Sequence, residues 1–172
     1  MNDKLSHVFE KAETDRLKIL SLIASVDEEK LSRHPPGKWS INQVLAHLIT
    51  AERLSLLYMQ KKSLGIQQAN ESGLWEEIKF TLLKISQRVP LRYKAPSVLA
   101  EREPEKLSYP EIVTQWAEVR SDLKKFLQQL EASHIRKKIY KHPVAGRLNV
   151  IHAVGFLREH AIHHLPQIKR LL

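Results

Sequence analysis

The chain has 172 residues, enough for one domain with a real core, and 42% of them are hydrophobic against 27% charged, the balance of an ordinary globular protein. It contains no cysteine, which excludes disulfides and thiolate metal sites and suits a reducing cytoplasm; any metal must rest on histidine, carboxylate or water. The formal net charge is +9, and residues 131–172 alone carry eight Lys or Arg against two Glu, so a basic surface toward the C-terminal end is expected. Such a surface can attract nucleic acid, anionic lipid or an acidic small molecule. Arg136, Lys137, Lys138 and Lys141 have only Tyr140 among them, not the row of aromatics a stacking platform needs, so no nucleic-acid partner is expected. Met1 to Glu10 carries Asp3, Lys4 and Glu10 and lacks the apolar run of a signal peptide. No segment approaches the roughly 18 apolar residues of a membrane span. A soluble cytoplasmic protein without a membrane partner is the expectation.

The long segments are rich in Leu, Ala, Glu, Lys and Gln and lack alternating strand patterns, so the fold class is all-α. The first helix is expected from about Asp3 to Val26, with Val8, Ala12, Leu17, Ile19, Leu20 and Ile23 on its apolar side. His34, Pro35, Pro36 and Gly37 break the connection that follows. Ser40 opens the second helix as N-cap, and Gln43 three residues later completes a capping box. Trp39 before the cap can staple onto Val44. Ile41, Val44, Leu45, Leu48, Ala51 and Tyr58 carry the 3–4 spacing to an end near Lys61 or Lys62, where cations suit the helix dipole. Ser63 to Gly73 reads as a loop and Leu74 to Val89 as an extra helix within a crossover connection. Pro90, Pro96 and Pro104 then mark an irregular stretch. Ser108 and Glu111 form a second capping box, with Pro110 tolerated in the first turn of a third main helix that runs to about Ala132. Ser133 to Arg147 is a basic connection, and Asn149 caps the last helix, in which Pro166 predicts a kink or a break.

The nine histidines are unevenly placed. Four of them, His152, His160, His163 and His164, fall in the last helix. His160 and His164 are one turn apart on one face, the spacing by which helices present two imidazoles to one ion. Val150, Val154, Leu157, Ala161 and Ile168 define the buried stripe of that helix; His164 lies within it and His160 at its edge. His163 points about 100° away from His164 and His152 lies nearly opposite Ile168, so neither belongs to the pair. The third ligand must come from another helix, and His47, beside the apolar stripe of the second helix, is the candidate. A lone buried histidine is usually a satisfied core residue, and His47 by itself reads that way. The three together, on two amphipathic helices of a cysteine-free chain, read as a divalent metal site.

These residues also carry a resemblance. Lys38-Trp39-Ser40-Ile41-Asn42-Gln43-Val44-Leu45-Ala46-His47-Leu48 resembles the first signature of the DinB/YfiT-like bundles. His142-Pro143, Gly146-Arg147-Leu148 and then His160-Ala161-Ile162-His163-His164-Leu165-Pro166-Gln167-Ile168 resemble the second. The similarity follows the order and spacing of nearly the whole chain, and matches poorly between Ser63 and Glu105. It implies that residues 1–172 form one DinB-like four-helix bundle domain, up-down-down-up, with a long crossover connection, and that the protein is a homodimer. It implies a zinc or nickel ion on three histidines that map onto His47, His160 and His164. It also implies the activity of a metal-dependent hydrolase or of a transferase for low-molecular-weight thiols. Pro166 departs from the family pattern, and bears on where Gln167 sits.

Three neutral imidazoles leave at least one coordination position open, as in catalytic zinc sites. An ion there can lower the pKa of a water to about 7 or hold a thiol as thiolate. The expectation is a metal-dependent enzyme acting on a small-molecule substrate, a thiol S-transferase or a hydrolase. The alternative is a non-catalytic metal-binding stress-response module. Arg147 and Arg158 can hold carboxylates of a thiol cofactor, with ordinary surface charge the simpler reading. Gln43 and Gln167 can line the open position, although each is more often a cap or a surface amide. No carboxylate is placed to act as general base; Glu159, adjacent to His160, points about 100° away.

Overall fold

A computed structural model of the chain describes residues 1–88 and 104–172. Its frame is four long helices: α1 (Asp3–Ile23), α3 (Ile41–Ser63), α5 (Tyr109–Gln129) and α6 (Val150–Leu171). Two shorter helices, α2 (Glu28–Ser32) and α4 (Leu74–Arg88), lie in the connections. A small antiparallel hairpin, β1 (Tyr140–His142) with β2 (Gly146–Leu148), precedes α6. Among the described residues no helix is long and apolar enough to cross a membrane.

The helix starts are where the side chains that make them put them. The Gln43 N–H donates to Ser40 Oγ (3.1 Å) and the Ser40 N–H to Gln43 Oε1 (2.9 Å), a reciprocal box that satisfies two otherwise orphaned donors. At α5 the Ser108 N–H donates to Glu111 Oε2 (2.8 Å), and at α6 Asn149 Oδ1 accepts the His152 N–H (2.9 Å). The short α2 lies ahead of the breakers, in a stretch expected only as a connection. Its Glu28 carboxylate accepts from Asn42 Nδ2 (2.7 Å) and from the Tyr109 N–H (2.9 Å), so it ties the starts of α3 and α5 together.

The core divides into two clusters, and their membership gives the helix directions. One cluster joins Leu5 and Phe9 of α1, Leu56 and Met59 of α3, Leu123 and Leu127 of α5, and Val150 to Leu157 of α6. The other joins Ile19 and Ile23, Val44 and Leu48, Ile112 and Trp116, and Ala161 and Ile168. Helices α1 and α6 therefore run one way and α3 and α5 the other, an up-down-down-up bundle. Because α3 and α5 are parallel, the chain must return along the bundle between them, and α4 makes part of that return on the outside of α6. Phe80 of α4 stacks on His152 (ring centroids 4.7 Å) and lies over Gly155, where an added Cβ would fall 2.5 Å from its ring. Only glycine admits that approach.

Several expectations change here. The first helix ends at Ile23, and Leu17 is 52% exposed, outside the apolar side assigned to it. His152 is buried because α4 covers the side of α6 that faces away from the bundle, and its ring meets Glu77 Oε1 at 3.1 Å. The connection from Ser133 to Arg147 holds the hairpin, whose three-residue strands are too short to show an alternating pattern. Helix α6 continues through Pro166 without a break. Val89, Pro90 and Pro96 lie outside the described residues.

Two buried polar features have testable energetics. Glu52 on α3 and Arg120 on α5, 2% and 3% exposed, form a bidentate ion pair with contacts of 2.8 and 2.6 Å. Arg120→Met strands the carboxylate in the core and is expected to cost about 3–5 kcal/mol, whereas Glu52→Leu with Arg120→Met recovers most of it. Urea unfolding of the three proteins checks this, and equal losses in the single and double variants contradict it. His142 is buried in the hairpin, where its Nδ1 accepts the N–H groups of Val144 (3.2 Å) and Ala145 (3.1 Å), and burial holds its pKa down to about 4 from 6.5. The unfolded chain therefore takes up this proton first as the pH falls. Stability is present in full above pH 6.5 and is lost toward pH 4, with His142 contributing roughly 3 kcal/mol of the change. Unfolding free energies measured across that window should show a shallower acid slope in His142→Asn; an unchanged slope removes the assignment.

Candidate metal centre

Helices α3 and α6 are antiparallel neighbours, so the first half of one faces the second half of the other. That register carries His47 against His160 and His164. The Nε2 atoms of His47 and His160 lie 3.3 Å apart, and those of His160 and His164 lie 3.2 Å apart. All three ligand atoms fall within 4.8 Å of one another, a grouping that can hold a metal ion. A tetrahedral ion with nitrogen ligands at 2.0–2.1 Å needs about 3.3–3.4 Å between ligand atoms, so two of the three spacings already suit one.

Each ring is set by its surroundings. Trp39 stands 5.1 Å from the His47 ring, more closely involved in the site than its expected part as a helix staple requires. Phe156, one turn before His160, stacks on that ring at 5.5 Å and 11°. Burial lowers the pKa of His47. Burial and then the other imidazoles hold His160 well below the usual range. Burial brings His164 down to about 4, against a smaller opposing effect of Gln167. At neutral pH the rings are thus unprotonated, the state a metal requires.

The His164 Nδ1–H donates to Gln167 Oε1 at 2.9 Å. This fixes the tautomer in which Nε2 keeps its lone pair toward the other two rings, the arrangement that supports metal-ligating histidines. Gln167 thus orients a candidate ligand rather than lining an open position. The spacing of three from His164 was legible in the sequence; its purpose needed the coordinates. Gln43 has its side-chain oxygen on the Ser40 N–H.

The remaining candidates are drawn into other work. His163 Nδ1–H donates to the Gln87 carbonyl (2.7 Å) and so fastens the end of α4 to α6. Glu159, 3% exposed, takes a bidentate contact from Arg88 (2.8 and 2.9 Å) and does not act as a free base. Arg158 is paired with Asp15 at 2.7 Å, which leaves it no role as a carboxylate holder. Arg147 is exposed on the hairpin.

Comparison with known proteins follows the same outline. YfiT from Bacillus subtilis, described as a probable metal-dependent hydrolase with an unusual four-helix bundle topology, matches with a TM-score of 0.62 at 15% identity, over 99% of this chain and 87% of that one. At that identity the likeness is one of fold. No curated protein matches the chain. The family model of the DinB superfamily matches residues 12–168, nearly the whole bundle and all three clustered histidines. The chain belongs to the DinB superfamily.

Proposed function

We propose that this protein is a metal-dependent enzyme acting on a small molecule, with one divalent ion, zinc or nickel, held by His47, His160 and His164. The observation that carries the reading is the convergence of the Nε2 atoms of three uncharged imidazoles from two helices, with Gln167 fixing the His164 tautomer. Bound there, the ion supplies Lewis acidity, which can polarise a carbonyl or acidify a water or thiol brought to it. The chain's own contributions are positional. Trp39 and Phe156 wall the imidazoles and lower the local dielectric, which strengthens any charge interaction at the centre. His163, Gln87, Arg88 and Glu159 hold α6 against α4 behind the ligands, so that the rings keep their spacing.

Hydrolysis, with water as nucleophile, is the reaction class that the description of YfiT favours; transfer of a low-molecular-weight thiol uses the same centre. The absence of a free carboxylate among the site residues described above favours a second reading, a non-catalytic metal-binding stress-response module. The chain without cysteine suits the cytoplasm in either case.

Metal analysis of protein purified without a histidine tag should find about one divalent ion per chain. His47→Ala and His160→Ala/His164→Ala should lose it, and Gln167→Leu should bind it roughly 10–100-fold more weakly. Equal metal content in all four proteins removes the site. Ester hydrolysis and thiol transfer, assayed with the loaded wild type and His47→Ala, separate the enzyme from the module: metal-dependent turnover supports the first, and retained metal with no turnover in either assay the second.

The protein is further proposed to be a homodimer. Trp75, Ile78, Leu82 and Ile85 form an outward apolar stripe on α4, between 41% and 61% exposed, at the 3–4–3 spacing of a helix seam. An antiparallel two-fold sets Trp75 opposite Ile85 of the second copy and Ile78 opposite its Leu82, so the stripe is self-complementary. Sedimentation should give a dimer that Leu82→Glu turns into a folded monomer; an unaltered dimer places the contact elsewhere.

A further inference from the structure

At the end of the bundle remote from the three histidines, a cavity of about 270 Å³ opens between the last turns of α3 and the segment leading into the hairpin. Its polar lining is Tyr58, Lys61, Lys62, Gln68, Lys138 and Arg147, and no carboxylate is among the lining residues. Lys61 lies ~21 Å along α3 from His47 at 1.5 Å per residue. The cavity is therefore separate from the candidate metal centre.

The charged residues lining it are all cations: Lys61, Lys62, Lys138 and Arg147. Several cations elsewhere are matched: Arg16 with Glu13, Arg88 with Glu159, Arg120 with Glu52, Arg158 with Asp15. Here Lys138 shares Glu76 at 3.3 Å, while Lys61, Lys62 and Arg147 have no ion pair with any described carboxylate. Lys62 rests over the Tyr58 ring, 5.8 Å from its centroid. The helix-end dipole accounts for lysines in the last turn of α3. It does not account for Arg147, which arrives from the hairpin, nor for Lys141 directly opposite Arg147 in the strand register. Like charges facing each other across two strands destabilise a hairpin. Cations gathered around one cavity repel one another, and an anion within it relieves that repulsion.

We propose that this cavity is a binding site for a compact small molecule carrying two or more negative charges on phosphate or carboxylate oxygens. The volume lies just below the usual range for ligand pockets, which fits such a molecule and not a nucleotide-sized one. The Arg147 guanidinium offers a planar fork to two oxygens, Lys61 and Lys62 offer mobile point charges, and the Gln68 amide adds a neutral donor.

The test uses the full-length protein, with pyrophosphate and benzene-1,3,5-tricarboxylate as probes in titration calorimetry. One saturable site is expected for at least one probe, and the preferred probe tells phosphate from carboxylate. Lys61→Gln/Lys62→Gln/Arg147→Gln should weaken it by about tenfold or more through loss of charge-assisted hydrogen bonds, with metal content unchanged and the thermal midpoint equal or higher. Lys11→Gln/Lys30→Gln/Arg170→Gln, which removes equal charge from other faces, should leave binding within about twofold. His47→Ala should bind as the wild type does, since pyrophosphate can also seek a metal. The site is overturned by an absence of saturable binding, by equal weakening in the two triple variants, or by binding that disappears only in His47→Ala.

Discussion

The meeting of α3 and α6 across three uncharged imidazoles sets the terms for the rest of the bundle. Imidazoles this close cannot all carry protons, because each charge raises the cost of the next and burial raises the cost of any. The structure accepts this by keeping the rings neutral and by choosing the tautomer of His164 through Gln167. What remains is a set of three ring nitrogens gathered at one point, kept together only if the two helices hold their register. The aromatic contacts of Trp39 and Phe156 and the fastening of α6 to α4 through His163 and Glu159 serve that register.

The crossover helix is thereby more than a connection. Parallel α3 and α5 force the chain to travel the length of the bundle between them, and α4 uses the journey to cover the outer side of α6. It can lie close only where Phe80 passes over Gly155. The same covering buries His152 and leaves its Nδ1 without a partner, while Glu77 takes its Nε2. An outward apolar stripe is the other consequence of a helix whose inner face is already spent on α6.

Charge is distributed by the same logic. Where carboxylates were available they are spent on cations at the seams: Glu52 with Arg120 between α3 and α5, Glu159 with Arg88 between α6 and α4, Asp15 with Arg158 between α1 and α6. The excess of +9 is left for the surface. Part of it lies around the hairpin and the end of α3, at the opposite end from the histidines, so the two proposed sites do not share a field at short range.

The sequence alone determined the helices and the ligand candidates, because both depend on local rules. Ser40 with Gln43, Ser108 with Glu111, and Asn149 announce helix starts through hydrogen bonds made within one turn. The four-residue spacing of His160 and His164 and the place of His47 beside an apolar stripe follow from helix periodicity. Tertiary structure decided what depends on contacts between distant segments. Whether His47 reaches His160 is a matter of helix direction and register. The burial of His152 needed a helix more than sixty residues earlier in the chain, and the work of Glu28 needed α3 and α5 in place. The hairpin was hidden because strands of three residues leave no period to read, and its pairing is settled by a His142 side chain that accepts the N–H groups of its own turn.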